Sequence, residues 1–235
     1  MNNKDNNVAI VLGAGNSSRM GEQDKIFISI LGKPVLYYSL TVFEESPLID
    51  SIVLVMSQKN IHLAKELVKE YQFKKIEVVC LGGDSRFQSV KNGLNCVDKA
   101  QWVFVHDAAR PCITQELLDK LVDNAQKNGS AIPGRPVFDT LKSVNNLFKI
   151  TSTVDRNLLW AAQTPQVFRF NVISDAYRKT QTEGTDDSAI VEQFYPVNIV
   201  SGSSLNLKVT VADDIPIIES ILKSMIDSSK QKDIN

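Results

Sequence analysis

The sequence predicts an α/β fold, a mainly parallel sheet sandwiched by helices, on three observations. Short β-branched runs recur at residues 8–12, 52–56, 76–80, 102–106 and 197–200, each with the length of a buried strand. Between them lie stretches with helical period: Ile61, Ala64, Leu67, Val68 and Tyr71 in one, and Leu117, Leu118, Leu121, Val122 and Ala125 in another. Finally, strands that alternate with helices imply crossover connections, which return each strand parallel to the last and cover both faces of the sheet. In such a sheet ligands bind beyond the carboxyl ends of the strands, so the residues after each run are where chemistry is expected.

A chain of 235 residues, 43% hydrophobic and 23% charged, can bury its core as one domain, taken here as 1–235. The formal charge of -1, from 26 basic and 27 acidic residues, provides no global field for nucleic acid or an anionic membrane. Any anion site is therefore local. Cys80, Cys96 and Cys112 are odd in number and widely spaced, with no C-x-x-C pair or Cys/His cluster, and read as buried structural thiols. The first residues are polar and no run approaches membrane-spanning length, so a soluble cytoplasmic protein is expected.

The first run ends in Gly13, Ala14 and Gly15, with Arg19 and Lys25 close behind. Glycines after a strand let backbone N–H groups approach an anion. A dinucleotide fingerprint needs a third glycine where Ser18 stands, and an acid about twenty residues on where this chain has "ILGKPVL". A P-loop fails too, because Gly32-Lys33 is preceded by Phe27 at the first glycine position and followed by Pro34. Two readings remain: a triphosphate cradle neutralised by Arg19 and Lys25, or a plain tight turn.

The third run leads into "GGDSRFQSV" and the fourth into "HDAARP", where Asp107 can hold Mg²⁺ and Arg110 an anion. The helix after it opens at Thr114, a side chain suited to an N-cap, and closes at Asn128-Gly129. Residues 136–156 carry period-two runs on either side of Asn145 and Asn146, a hairpin that would project from the sheet as an arm. Taken singly, "AQTPQVF", "GTDDSAIVE" and "NLKVT" read as a Pro-fixed loop, a helix N-cap box and an edge strand. A last helix is expected over about 213–226, with Asp213 and Asp214 at its positive end, Pro216 in its first turn and a frayed tail "SSKQKDIN".

Together, "VHDAARPCIT", "PVFDTLKSV", "TVDRNLLWAAQTPQVF" and "TDDSAIVE" resemble the 2-C-methyl-D-erythritol 4-phosphate cytidylyltransferase family, over nearly the whole chain from about Val8 to Leu222. The resemblance implies a Rossmann-like nucleotidyltransferase fold, a homodimer joined through the β-arm and a divalent cation, usually Mg²⁺. It implies transfer of CMP from CTP to methylerythritol phosphate, with pyrophosphate as the leaving group. By motif position Arg19, Lys25 and Lys208 would be the catalytic cations, and Gly13, Ala14, Gly15, Gly83, Asp84, Ser89 and Asp107 would bind CTP, Asp107 beside the metal. Arg110, Thr164 and Thr185 would face the polyol, while Thr140 and Arg156 would reach into the neighbouring subunit's site.

Three features depart from the family pattern, one of them Ser17, where relatives commonly carry a glycine. Gly13 stands where relatives carry Ala, and Asp24 and Ile26 replace the Pro and Gln around Lys25, which sets a carboxylate beside the lysine that could draw it from the phosphates. Two alternatives stay open. One is ribitol-5-phosphate cytidylyltransferase, whose pattern has Val where this chain has Ala109; the other is a CTP-binding homologue with impaired catalysis.

Overall fold

The structure, a computed structural model, describes residues 6–15 and 24–232. Strand β1 (Asn7–Gly13) is followed by a 3-10 turn at Lys25–Phe27, the short strands β2 (Ser29–Ile30) and β3 (Lys33–Pro34), and helix α1 (Val35–Glu45). The expected alternation continues through β4 (Ser51–Met56), α2 (Ile61–Glu70), β5 (Ile76–Leu81), α3 (Arg86–Asn95), β6 (Trp102–Asp107) and α4 (Gln115–Asn128). It then breaks. Five strands follow without a helix: β7 (Ser130–Pro136), β8 (Lys142–Val144), β9 (Ile150–Thr153), β10 (Trp160–Ala162) and β11 (Gln166–Arg169). Helices α5 (Phe170–Lys179) and α6 (Ser188–Val191), strand β12 (Ile199–Ser201) and helix α7 (Asp214–Lys232) complete the chain.

The main sheet has the order β10-β7-β11-β6-β1-β4-β5, with β12 also on β7. β1 lies between β6 and β4 and parallel to both, and β5 is parallel to β4. β11 runs antiparallel to β6 and β7, and β10 antiparallel to β7, so the sheet is mainly parallel with two reversed strands. Because successive side chains of a strand point to opposite faces, the apolar runs supply two cores. Val8, Ile10, Val53, Val55, Val103 and Val105 pack with α3 and α5 on one face. On the other, Ala9, Val11, Ile52, Leu54 and Phe104 meet Leu36, Phe43, Leu121 and Leu222 of α1, α4 and α7. Each Val, Leu, Ile or Phe among them, fully buried, contributes on the order of 1.5–3 kcal/mol, which fixes the strand ends where the loops diverge.

Local signals set the helix ends. The Thr114 hydroxyl accepts from the amide of Leu117 at 3.3 Å, and Gly129 closes α4 in the left-handed region at φ 86. Several expectations are corrected. The last helix begins at Asp214 rather than 213 and runs through to Lys232, so the backbone of the tail expected to fray is helical up to that residue. Its opening is built by Asp214, whose Oδ2 accepts from the amides of Thr210 and Val211 at 2.7 and 2.9 Å. No strand forms at residues 206–210, whose chain instead meets the loop after β6, the Val209 amide donating to the carbonyl of Ala109 at 2.8 Å. Of the thiols only Cys112 is buried; Cys80 and Cys96 are partly exposed. Burial raises the Cys80 thiol to about 12, helped by Cys96 beside it.

A hairpin forms around Asn145 and Asn146 as the sequence suggests. β8 and β9 make a two-stranded sheet of their own, antiparallel, with a shift in register between Ser143 and Val144. Asn145 nucleates its turn, its Oδ1 accepting from the amides of Leu147 and Lys149 at 3.0 and 3.1 Å. Apolar side chains crowd this region in the open: Phe138, Leu147 and Phe148 are 75%, 74% and 87% exposed. Among the described residues, no helix is long and apolar enough to cross a membrane.

Candidate active site

β1, β4, β5 and β6 end side by side, and the residues that follow them enclose a cleft of about 650 Å³. Gly13, Ala14 and Gly15 supply one wall and Gly82, Gly83 and Asp84 another. The two turns touch: a Cβ on Gly82 would lie 2.4 Å from that of Ala14, so only glycine lets them meet. Lys25, Asp107 and Lys208 also line the cleft, as does Arg86. Ser85 starts α3 here, its hydroxyl accepting from the amide of Gln88 at 3.1 Å, so the positive end of that helix faces the same space.

Asp107 is the centre of the charge distribution. Its Oδ2 is 2.7 Å from Lys208 Nζ and 3.9 Å from Arg110 Nε, and its Oδ1 is 3.4 Å from Arg86 Nε. Burial alone would raise this carboxyl, but Arg86, Lys208 and Arg110 outweigh it and hold Asp107 well below the usual carboxylate range. The backbone around it is fixed by a buried chain of hydrogen bonds. The Asp107 amide donates to Thr164 Oγ1 at 3.1 Å, and Thr164 lies 3.0 Å from His106 Nδ1. His106 Nε2 is 3.1 Å from the carbonyl of Arg110. A carbonyl can only accept, so Nε2 carries the proton and Nδ1 accepts from Thr164. Burial depresses the imidazole to about 3, which keeps it in this neutral form.

Asp24 bears directly on Lys25. Its carboxylate caps the 3-10 turn, accepting from the Ile26 amide at 3.3 Å and from Asn60 Nδ2 at 2.6 Å. The acid next to the lysine thus builds the turn that presents Lys25 to the cleft.

The structure brings nine of the residues singled out in the sequence to this cleft: Gly13, Ala14, Gly15, Lys25, Gly83, Asp84, Ser89, Asp107 and Lys208. Arg19 lies outside the described residues. Ser89 is buried, its hydroxyl accepting from the Gly83 amide at 3.1 Å and donating to the Ser85 carbonyl at 2.9 Å, so it shapes the turn. Thr164 stands behind Asp107 rather than in the cleft wall, and Arg110 donates to the Asn206 carbonyl at 2.8 Å, steadying the loop of Lys208. Thr185 is exposed and does not line the cleft. Thr140 and Arg156 lie together on the arm, in a shallow cup with Thr153 and Asp155, where Arg156 donates to the Phe138 carbonyl. Among the described residues no group of three His, Cys, Asp or Glu side chains could by itself hold a metal ion.

Sequence reasoning missed Arg86 and Asp187. Both stand inside quoted motifs, but their pairing spans 101 residues and no local pattern announces it. Arg86 grips Asp187 with both terminal nitrogens, at 3.0 and 2.7 Å. Burial lowers and Asp187 and Asp107 raise the guanidinium, the carboxylates prevailing.

Fold and cleft define a class: an α/β protein that offers bare backbone, a helix N-terminus and fixed cations to a phosphorylated ligand at the carboxyl ends of a parallel sheet. Comparison with known proteins narrows it. Residues 7–224 match the family model IspD, 2-C-methyl-D-erythritol 4-phosphate cytidylyltransferase, and the chain belongs to that family. Proteins of that name from Dehalococcoides mccartyi and Dictyoglomus thermophilum are 43% and 40% identical over 216 and 222 residues, covering 92% of this chain and 95% and 96% of theirs. A crystal structure of 4-diphosphocytidyl-2C-methyl-D-erythritol synthase from Anaerococcus prevotii superposes with a TM-score of 0.80 at 28% identity, covering 93% of this chain and 96% of that one.

Proposed function

We propose that this protein transfers CMP from CTP to 2-C-methyl-D-erythritol 4-phosphate and releases pyrophosphate, in the non-mevalonate route to isoprenoid precursors. The observation that carries the reading is the convergence of Lys25, Lys208 and the Gly13–Gly15 turn on one cleft, in a chain of this family. A phosphate oxygen of the acceptor attacks the α-phosphorus of CTP, and the bond to the β-phosphate oxygen breaks as pyrophosphate departs. No enzyme nucleophile is required, and the acceptor phosphate is already ionised. The chain's task is to align two anions and to stabilise the negative charge that spreads over the α-phosphate.

In this reading the glycine turn wraps the triphosphate, with Lys25 and Arg19 on its oxygens. Lys208, held 2.7 Å from Asp107 yet 38% exposed, reaches the α-phosphate and the incoming phosphate. Gly83 and Asp84 line the nucleoside end, and Ser89 acts by holding that turn. At the polyol end Arg110 acts by steadying the loop of Lys208 and Thr164 acts through Asp107, while Thr185, outside the cleft, would meet the polyol only beyond its rim. Asp107 lines the cleft as a carboxylate held ionised, so it would hold a Mg²⁺ that takes its remaining ligands from water and the triphosphate. When bound, that ion supplies further neutralisation of phosphate charge. The exposed apolar side chains of the arm support a homodimer in which Thr140 and Arg156 complete the partner's acceptor site. A cytoplasmic enzyme is the location that fits such metabolites.

The test is pyrophosphate release from CTP with methylerythritol phosphate, with ribitol 5-phosphate, or with no acceptor, each with Mg²⁺ and with EDTA. Release with methylerythritol phosphate and Mg²⁺ alone is expected. Release with ribitol 5-phosphate instead, or CTP binding without release, overturns the reading.

A further inference from the structure

Two acids stand together in "TDDSAIVE" and divide their work. Asp186 builds the local turn, accepting from the Ala189 amide at 2.9 Å and from Gln166 Nε2 at 2.7 Å. Asp187 is 0% exposed and turns the other way, toward α3. It receives three donors: both Arg86 terminal nitrogens, and the Tyr177 hydroxyl at 2.6 Å. The Tyr177 ring stacks on Phe87, with centroids 4.9 Å apart and planes at 9°, so α5 braces α3 next to Arg86 itself. With its fork occupied, Arg86 has its Nε 3.4 Å from Asp107 Oδ1, while Lys208 takes Oδ2 at 2.7 Å. Arg86 is thus the cation on Oδ1, while Oδ2 has Lys208 and, farther off at 3.9 Å, Arg110 Nε, so turning the carboxylate draws Oδ1 away from Arg86.

We propose that Asp187, backed by Tyr177, is the anchor that positions Arg86, and that Arg86 fixes the Asp107 carboxylate so that its Oδ2 faces Lys208. Arg86 is thus a positioning residue that acts through Asp107, two steps from the buried anchor. The geometry requires a planar fork with a third donor behind it. A lysine keeps the charge but is a single point donor, able to reach Asp187 or Asp107 and not hold both. The kinetic consequence rests on the cytidylyltransferase reading; the geometric one does not.

The experiment compares Arg86→Lys, Tyr177→Phe, Asp107→Asn and the double variant Arg86→Lys/Asp107→Asn with the unaltered enzyme. A crystal structure of Arg86→Lys is expected to show the 2.7 Å Asp107–Lys208 contact opened beyond about 3.5 Å, and an unchanged contact overturns the proposal. In turnover, Arg86→Lys is expected to lower kcat about tenfold with KM for CTP within about twofold, because displacing Lys208 weakens charge stabilisation in the transition state. Tyr177→Phe should lose about threefold, since it removes one of the donors on the anchor. A lysine variant as fast as the unaltered enzyme also overturns the proposal. The double variant should be no slower than Asp107→Asn alone; multiplied losses would mean that Arg86 acts on substrate directly and not through Asp107. If the unaltered enzyme turns over no acceptor, the functional reading fails, and the crystallographic comparison still decides this one.

Discussion

His106 makes the stability of this protein depend on pH in a window where Asp107 beside it does not. The ring is 0% exposed, donates through Nε2 to the Arg110 carbonyl at 3.1 Å and accepts at Nδ1 from Thr164 at 3.0 Å. Burial lowers its folded-state value to about 3, against about 6.5 for an unfolded histidine. Between those values the unfolded chain binds a proton that the native state refuses, so stability is present above about 6.5 and is lost as pH falls. At pH 5 the difference corresponds to about 1.5 pH units, and at about 1.36 kcal/mol per unit the loss relative to pH 7 is about 2 kcal/mol. Asp107, also depressed, does not interfere, because a carboxylate with a lowered folded value begins to lose its contribution only below about pH 4 to 5. The assay is urea unfolding followed by tryptophan fluorescence at pH 5, 6 and 7, in EDTA and at one protein concentration, for the unaltered enzyme and for His106→Gln. The variant should lose most of the dependence. A free energy of unfolding that differs by less than about 0.5 kcal/mol between pH 5 and 7 would refute the buried neutral imidazole.

Three further outcomes are expected. Lys25→Ala should lower kcat on the order of 10²-fold while calorimetric CTP affinity changes by about threefold or less, as for a cation acting on transition-state charge; an unchanged rate would remove Lys25 from catalysis. Arg156→Ala should raise KM for the acceptor, and mixing it with Lys208→Ala under conditions of subunit exchange should restore about a quarter of full activity, because about half of re-paired dimers are hybrids with one intact site. No recovery would count against an arm shared between subunits. Gly93→Ala tests the fit of α3 on the sheet: the new Cβ would lie 2.7 Å from Ile10 Cγ2 and 3.0 Å from Val55 Cγ2, both on stiff branched side chains. Overpacking of about 1–3 kcal/mol exceeds the gain of about 1 kcal/mol from helix propensity, so the urea midpoint should fall.

Much of this was legible in the sequence because it is local. The runs at the starts of β1, β4, β5 and β6 read as strands, since a buried parallel strand needs nothing beyond a short apolar stretch. Thr114 and Gly129 announced the ends of α4, and Asn145 the arm's turn, because each acts on amides or dihedrals within a few residues. The glycines after β1 pointed to the cleft for the same reason. The reversal of β11 was not legible: four residues carry no mark of direction, and antiparallel pairing with both β6 and β7 is decided by which neighbours have open edges. The extension of α7 to Lys232 escaped as well, the polar tail giving no stop signal and no apolar period.

At the site the division is sharper. Sequence alone determined the kinds of group present: bare backbone after a strand, lysines nearby, an acid at the end of β6. Tertiary structure alone decided their partners. Asp107 meets Lys208, and Arg86 meets Asp187, each across 101 residues, and no periodicity reaches that far. It also gave Asp24, beside Lys25 in sequence, two donors in space, the Ile26 amide and Asn60 Nδ2, with which it builds the turn carrying that lysine. The physical reason is common to all three. A charged side chain declares its chemistry in one dimension, but the dielectric around it, and the counter-charge that burial obliges it to find, exist only after the chain has closed on itself.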